Sequence, residues 1–80
     1  MTKYSRQAEK FILLQGKTAA LRIFRAVEQL PIGDVKPLRG SGGTQLYRLR
    51  VGDYRIVFTQ TPDLITILRA DNRGDVYKHI

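Results

Sequence analysis

The 80-residue sequence predicts an α+β fold in which two N-terminal helices pack on one face of a small, mainly antiparallel twisted sheet. Three observations lead there. Two amphipathic runs of helical period occupy the first 30 residues and are punctuated by Gly16 and Pro31. A β-hairpin pattern follows, Tyr47-Arg48-Leu49-Arg50-Val51-Gly52-Asp53-Tyr54-Arg55-Ile56-Val57-Phe58, whose two faces differ in chemistry. A third β-prone run, Leu64 to Ala70, is apolar almost throughout. The length fits a single domain, residues 1–80, in a size range where only about 60% of the unfolded chain's surface becomes buried.

Taken in order, Met1 to Tyr4 can supply the end of an edge strand. Ser5 is a plausible N-cap for a first helix over about Arg6 to Gln15, in which Ala8, Phe11, Ile12 and Gln15 share one side and Gly16 is the stop. A second helix is expected over about Thr18 to Leu30. Ala20, Ile23, Phe24, Val27 and Leu30 line its inner side, Arg22, Arg25, Glu28 and Gln29 its outer side, and Pro31 ends it. Pro31 to Gly43 is irregular, with room for a short strand at Val35 to Leu38. Gly40-Ser41-Gly42-Gly43 lacks the Gly-Lys-Ser/Thr ending of a phosphate-cradling loop and precedes a strand, so it reads as a connection.

In the hairpin, Gly52-Asp53 suits a two-residue loop, because glycine accepts the positive φ such turns require. That loop sets the register: Val51 faces Tyr54, Arg50 faces Arg55, Leu49 faces Ile56, Arg48 faces Val57 and Tyr47 faces Phe58. Tyr47, Leu49, Val51, Tyr54, Ile56 and Phe58 then form a wholly apolar or aromatic face that must lie against the helices. The other face carries Arg48, Arg50 and Arg55, with only Asp53 nearby in sequence to offset them. Like charges directly opposed on a sheet cost a few tenths to about 1 kcal/mol. Three guanidiniums gathered in this way suggest a polyanion site, most simply for phosphate, since arginine offers paired planar donors and stays charged. The plainer alternative is a solvated face whose arginines discourage edge pairing.

Composition points the same way. Fourteen Lys and Arg against seven Asp and Glu give a formal charge of +7, which suits nucleic acid, an acidic protein or an anionic surface as partner. A membrane partner is the least favoured, because the apolar run Phe11 to Leu14 is far too short for a span or signal core. The absence of cysteine leaves no disulfide or thiolate metal site and is compatible with a reducing cytoplasm. No His/Asp/Glu cluster has metal-ligand spacing, so neither metal nor cofactor is expected. Asp71 and Asp75 read as a turn pair, and Val76 and Tyr77 can return the chain to the sheet. The last eight residues also hold Arg73, Lys78 and the only histidine, His79. Taken singly, Tyr77 suits packing, while Lys78 and His79 suit the solvated surface.

The order helix, helix, Lys36-Pro37-Leu38-Arg39-Gly40, the Tyr47 to Phe58 hairpin and the Arg73-Gly74-Asp75-Val76-Tyr77-Lys78 tail resembles the RelE/ParE superfamily of toxins from type II toxin–antitoxin systems. The resemblance spans nearly the whole chain. It implies, for the RelE branch, a cytoplasmic endonuclease that cuts mRNA in the ribosomal A site, and an antitoxin that wraps the toxin and blocks its basic site. It places Arg55 at the family's phosphate-contacting strand arginine, and Arg73 and Tyr77 at the closing arginine and base-stacking tyrosine. Arg48 and Arg50 stand where RelE members have lysines, and no glutamate follows Glu28 to serve as general base. The expected RNA-binding set is Arg48, Arg50, Arg55, Arg73, Tyr77 and Lys78. The expected catalytic set is Arg55, Arg73, Tyr77 and His79, with His79 better matched than Tyr77 to proton transfer near neutral pH. Charge complementarity predicts an acidic antitoxin, or one presenting an acidic segment. The ParE branch implies a different target, DNA gyrase, without nuclease chemistry. A non-catalytic member that only binds antitoxin or RNA is the third option.

Overall fold

The computed structural model describes residues 1–38 and 43–72. In chain order these form β1 (Thr2–Tyr4), α1 (Arg6–Leu14), α2 (Lys17–Glu28), β2 (Val35–Leu38), β3 (Leu46–Val51), β4 (Tyr54–Gln60) and β5 (Ile65–Asn72). The five strands make one sheet ordered β1-β5-β4-β3-β2. Only the β1–β5 pairing is parallel; the other three are antiparallel. The fold is the expected α+β arrangement. The helix and strand limits depart from the sequence expectation by a residue or two at most ends, as fraying helix termini usually do.

The hairpin register follows from its turn. Tyr47 pairs with Phe58, Arg48 with Val57, Leu49 with Ile56, Arg50 with Arg55 and Val51 with Tyr54. Gly52 carries φ of 58° while no non-glycine residue among those described has positive φ. This is the asymmetry that a two-residue Gly-X loop demands.

The apolar face meets the helices as required. Ala8 and Ile12 of α1, Ala20, Ile23 and Val27 of α2, and Leu49, Val51, Ile56, Phe58, Ile67 and Ala70 of the sheet form one buried cluster. Helix α1 lies over β5 and α2 over β3. Aromatic pairs close the margins: Tyr4 edge-on to Phe24 at 5.4 Å, Phe11 edge-on to Tyr54 at 6.0 Å, and Tyr47 stacked on Phe58 at 5.5 Å. Burial, followed by the nearby Glu28 carboxylate, raises the Tyr4 pKa. The folded state therefore holds this proton more tightly than the unfolded chain, so the Tyr4 contribution is lost as pH rises above the ordinary tyrosine value near 10. Denaturant midpoints on either side of that pH should fall less steeply in Tyr4→Phe than in the wild type.

Helix α1 is fastened to the sheet by two side chains at its start. The Ser5 hydroxyl accepts from Ala8 N–H at 3.1 Å and donates to the Leu68 carbonyl at 2.7 Å. Strand β1 covers β5 only from Ile65 to Ile67, which leaves the later edge of β5 uncovered. There the Gln7 side chain takes the place of a strand: its Nε2 donates to the Ala70 carbonyl at 2.9 Å and its Oε1 accepts from Ala70 N–H at 3.1 Å. Gln7→Ala would leave both backbone groups without these partners, at a cost of about 1–2 kcal/mol. Urea unfolding should register that loss, with an unchanged m-value.

Candidate polyanion site on the open face of the sheet

The sheet face turned away from the helices is organised in two rows by the strand registers. The first row runs across four strands as Lys36, Arg48, Val57 and Arg69. In the second row Arg50 stands opposite Arg55, and Arg55 opposite Asp71. On the far side of Arg50, its backbone N–H donates to the Asp34 carbonyl at 3.0 Å. Carboxylate residues thus flank the second row at both ends, with two arginines between them.

Arg69 reaches this face through a β-bulge. Phe58 pairs with Ile67 while Val57 pairs with Arg69, so Leu68 is an extra residue on β5. Without the extra residue the alternation that puts Ile67 in the core would put Arg69 there too. With it, parity reverses: Ala70 enters the core, and Arg69 and Asp71 lie on the open face. Asp71, expected in a turn, is accordingly a strand residue ion-paired with Arg69; Asp75, its expected turn partner, lies outside the described residues.

The ion pairs divide the arginines into two kinds. Arg48 Nη2 donates to Asp34 Oδ1 at 3.2 Å, and Arg69 Nη2 donates to Asp71 Oδ2 at 3.2 Å. Arg50 and Arg55 have no carboxylate within ion-pairing distance among the described residues. Both turn back to the hairpin loop. Arg55 Nη1 donates to the carbonyls of Gly52 at 3.3 Å and Tyr54 at 3.2 Å, and Arg50 Nε lies 3.5 Å from the same Gly52 oxygen. Two guanidiniums therefore converge at one carbonyl. Neutral carbonyl acceptors do not cancel their charge, so the cross-strand pair offers an anion two uncompensated guanidiniums, Arg50 exposed and Arg55 largely buried.

The expectation of three exposed, unbalanced arginines is corrected in two respects. Arg48 is neutralised by Asp34, a residue in the irregular segment that the hairpin pattern could not bring near. Arg48 and Arg55 are also largely buried, at 8% and 9% exposure, and of the three only Arg50 is exposed. Val57, which pairs with Arg48 and is 1% exposed, packs with Leu46 and Leu38 in a small apolar cluster on this face. Arg73, Tyr77, Lys78 and His79 lie outside the described residues.

A second basic surface belongs to the helix layer, where Arg6, Lys10, Lys17, Arg22 and Arg25 are exposed. The Arg22 guanidinium packs against the hairpin turn, close enough that a Cβ on Gly52 would meet it at 3.1–3.3 Å. A cleft of about 620 Å³ opens beside it, between the start of α2 and the Gly52-Asp53 turn. Among the described residues, no group of three or more His, Cys, Asp or Glu side chains is placed to hold a metal ion. No helix there is long and apolar enough to cross a membrane.

Residues 2–77 match the model of a family described as the ParE toxin of the type II toxin–antitoxin system parDE. Among solved structures, the chain is similar to the RelE of an archaeal RelE–RelB complex from Pyrococcus horikoshii. The two are 32% identical over 92% of this chain and 94% of that one, with a TM-score of 0.71. A RelB–RelE antitoxin–toxin complex from Methanococcus jannaschii aligns over 98% of both chains at 23% identity and a TM-score of 0.69. YafQ from E. coli aligns over 96% of this chain and 97% of its own, at 18% identity and a TM-score of 0.68. At these lower identities the likeness is one of fold. No curated protein matches the sequence.

Proposed function

We propose that this chain, which belongs to the ParE toxin family of type II toxin–antitoxin systems, is a metal-independent endoribonuclease that cuts mRNA in the ribosomal A site. The observation that carries this reading is the Arg50–Arg55 pair, two converging guanidiniums on an open sheet face without a carboxylate partner among the described residues. Phosphate is the anion that such planar donors suit best. The similarity to a RelE chain at 32% identity favours RNA as its source.

The chemistry needs no group beyond the RNA and the protein. The ribose 2′-oxygen forms a bond to the adjacent phosphorus while the bond from phosphorus to the 5′-oxygen breaks. The 2′-hydroxyl proton passes to a base and a proton is delivered to the departing 5′-oxygen, which gives a 2′,3′-cyclic phosphate and a free 5′-hydroxyl. Negative charge builds on the non-bridging oxygens in the transition state, and fixed cations aimed at that charge supply the largest catalytic contribution. Arg50 and Arg55 fill that role here. Following the family resemblance, Arg73 adds a third cation and Tyr77 stacks on a base; Lys78 adds to the RNA-binding set, and His79 is the side chain best matched to proton transfer near neutral pH.

The same reading includes an antitoxin. The RelE structures from both archaea are complexes with RelB, and an acidic segment covering the Arg50–Arg55 pair would block access to RNA while neutralising part of the +7 charge. The match to a ParE toxin family supports a second reading, the DNA gyrase poisoning that resemblance to the ParE branch implies.

One experiment separates the two. The purified protein is added to translating ribosomes and mRNA 5′ ends are mapped, with gyrase supercoiling measured in parallel. Cuts in phase with codons, absent for Arg55→Ala and Tyr77→Phe, are the expected result. Gyrase inhibition without cleavage would replace the nuclease reading, and neither activity would leave a non-catalytic binding protein.

A further inference from the structure

We infer that the Asp34 carboxylate is a resident competitor for RNA phosphate, holding Arg48 out of the cationic site until a phosphate displaces it. The inference rests on the reading of the open sheet face as an RNA site, and concerns how that site is regulated from within the chain.

The geometry is specific. The Arg48 side chain is 10% exposed, so its stem is fixed against the sheet, whereas the Asp34 side chain is 52% exposed. Asp34 precedes β2 in the segment that follows Pro31 and Gly33, and its carboxylate Oδ1 accepts a hydrogen bond from Arg48 Nη2 at 3.2 Å. An ion pair with one half-exposed member contributes less than about 1 kcal/mol. An RNA phosphate, already drawn in by Arg50 and Arg55, can therefore outcompete it. Once released, Arg48 lies on the same face as that pair, two positions from Arg50 on β3 and diagonal to Arg55 across the β3–β4 ladder. The carboxylate thus lowers resting affinity for stray polyanions and lets a third guanidinium engage when a multiply charged backbone arrives.

Asp71 does not behave in the same way. Its side chain is only 20% exposed, and it pairs with Arg69 two residues before it on the same strand. Asp34 precedes β2, and its backbone is tied to β3 by the Arg50 N–H, so only its half-exposed carboxylate is able to swing away. The two carboxylates flank the row symmetrically, yet that of Asp71 is the more enclosed.

The test is binding of a fluorescein-labelled single-stranded oligouridylate, read by anisotropy over a series of salt concentrations. Asp34→Asn should bind about twofold to fivefold more tightly than wild type with nearly the same plot of log affinity against log salt, because Arg48 meets phosphate in both complexes, whereas Arg48→Gln should flatten that plot by about 0.7, the increment for one phosphate contact on a single strand. Adding Arg48→Gln to Asp34→Asn should return the affinity to that of Arg48→Gln alone. Asp63→Asn removes an equal charge from the exposed β4–β5 turn and should leave affinity near the wild-type value. If Asp34→Asn matches Asp63→Asn, or binds more weakly than wild type, while Arg50→Ala still weakens binding, the competitor role is overturned and the RNA site stands. If Arg50→Ala binds as the wild type does, the RNA site itself falls, and this inference with it.

Discussion

Arg55→Ala is expected to lower RNA cleavage about a hundredfold to a thousandfold, the usual penalty for removing one donor aimed at transition-state charge. Arg55 is held by the hairpin register opposite Arg50 and by hydrogen bonds to the Gly52 and Tyr54 carbonyls. Its position is thus set before any substrate arrives, and no reorganisation is needed as charge develops. The loss should fall chiefly on the single-turnover rate at saturating ribosomes, with a smaller effect on binding, because Arg50 remains to hold the phosphate. Arg55→Lys should recover only part of the rate, since a point charge replaces a planar fork. The folded state should survive the change: with the guanidinium gone, water can reach the two carbonyls on this open face. Far-ultraviolet circular dichroism and a thermal midpoint close to wild type would show that the rate loss is chemical.

Phe58→Ala should have the largest effect on folding. Phe58 is fully buried at the centre of the helix-facing side, among the largest side chains with no exposed surface, and is stacked on Tyr47. Truncation of such a residue costs about 3–5 kcal/mol. An 80-residue domain has a total stability of only about 4–12 kcal/mol at typical values per residue, so the variant should be partly or wholly unfolded near room temperature. Guanidinium titration should show its midpoint shifted strongly downward with the m-value retained. A partner bound to the native state would offset the loss by mass action, so co-expressed antitoxin should restore soluble, folded protein.

Much of the fold was legible because its strongest signals are local. The helices announce themselves by apolar residues at helical spacing and by Gly16 and Pro31. The hairpin register follows from a two-residue loop and period-two alternation, which together leave no freedom over which side chains share a face. What could not be read was non-local. Asp34 reaches Arg48 across a Pro- and Gly-rich segment whose path has no period. The bulge at Leu68 lies in a run that is apolar at nearly every position, so the alternation that would have exposed the parity change is missing there, and Arg69 could not be assigned to a face. Gln7 on a helix surface looks like an ordinary solvated amide until the uncovered edge of β5 is seen beside it.

The candidate site shows the same division. Sequence alone placed Arg50 opposite Arg55, and that pair is the part of the arginine face that has no carboxylate partner among the described residues. Sequence also grouped Arg48 with them as an equal, which its ion pair with Asp34 does not support. The arginines are sorted by their long-range carboxylate neighbours, and those neighbours are set by strand order and a bulge.

The most direct measurement of the central claim is a titration of arginine-labelled protein with single-stranded RNA, following the Nε–Hε resonances of each guanidinium by NMR. Saturable shifts are expected at Arg50 and Arg55 at the lowest RNA concentrations, with Arg22 and Arg25 of the helix layer little changed. Shifts led by Arg22 and Arg25, with Arg50 and Arg55 unmoved, would place RNA on the opposite side of the molecule and contradict that claim.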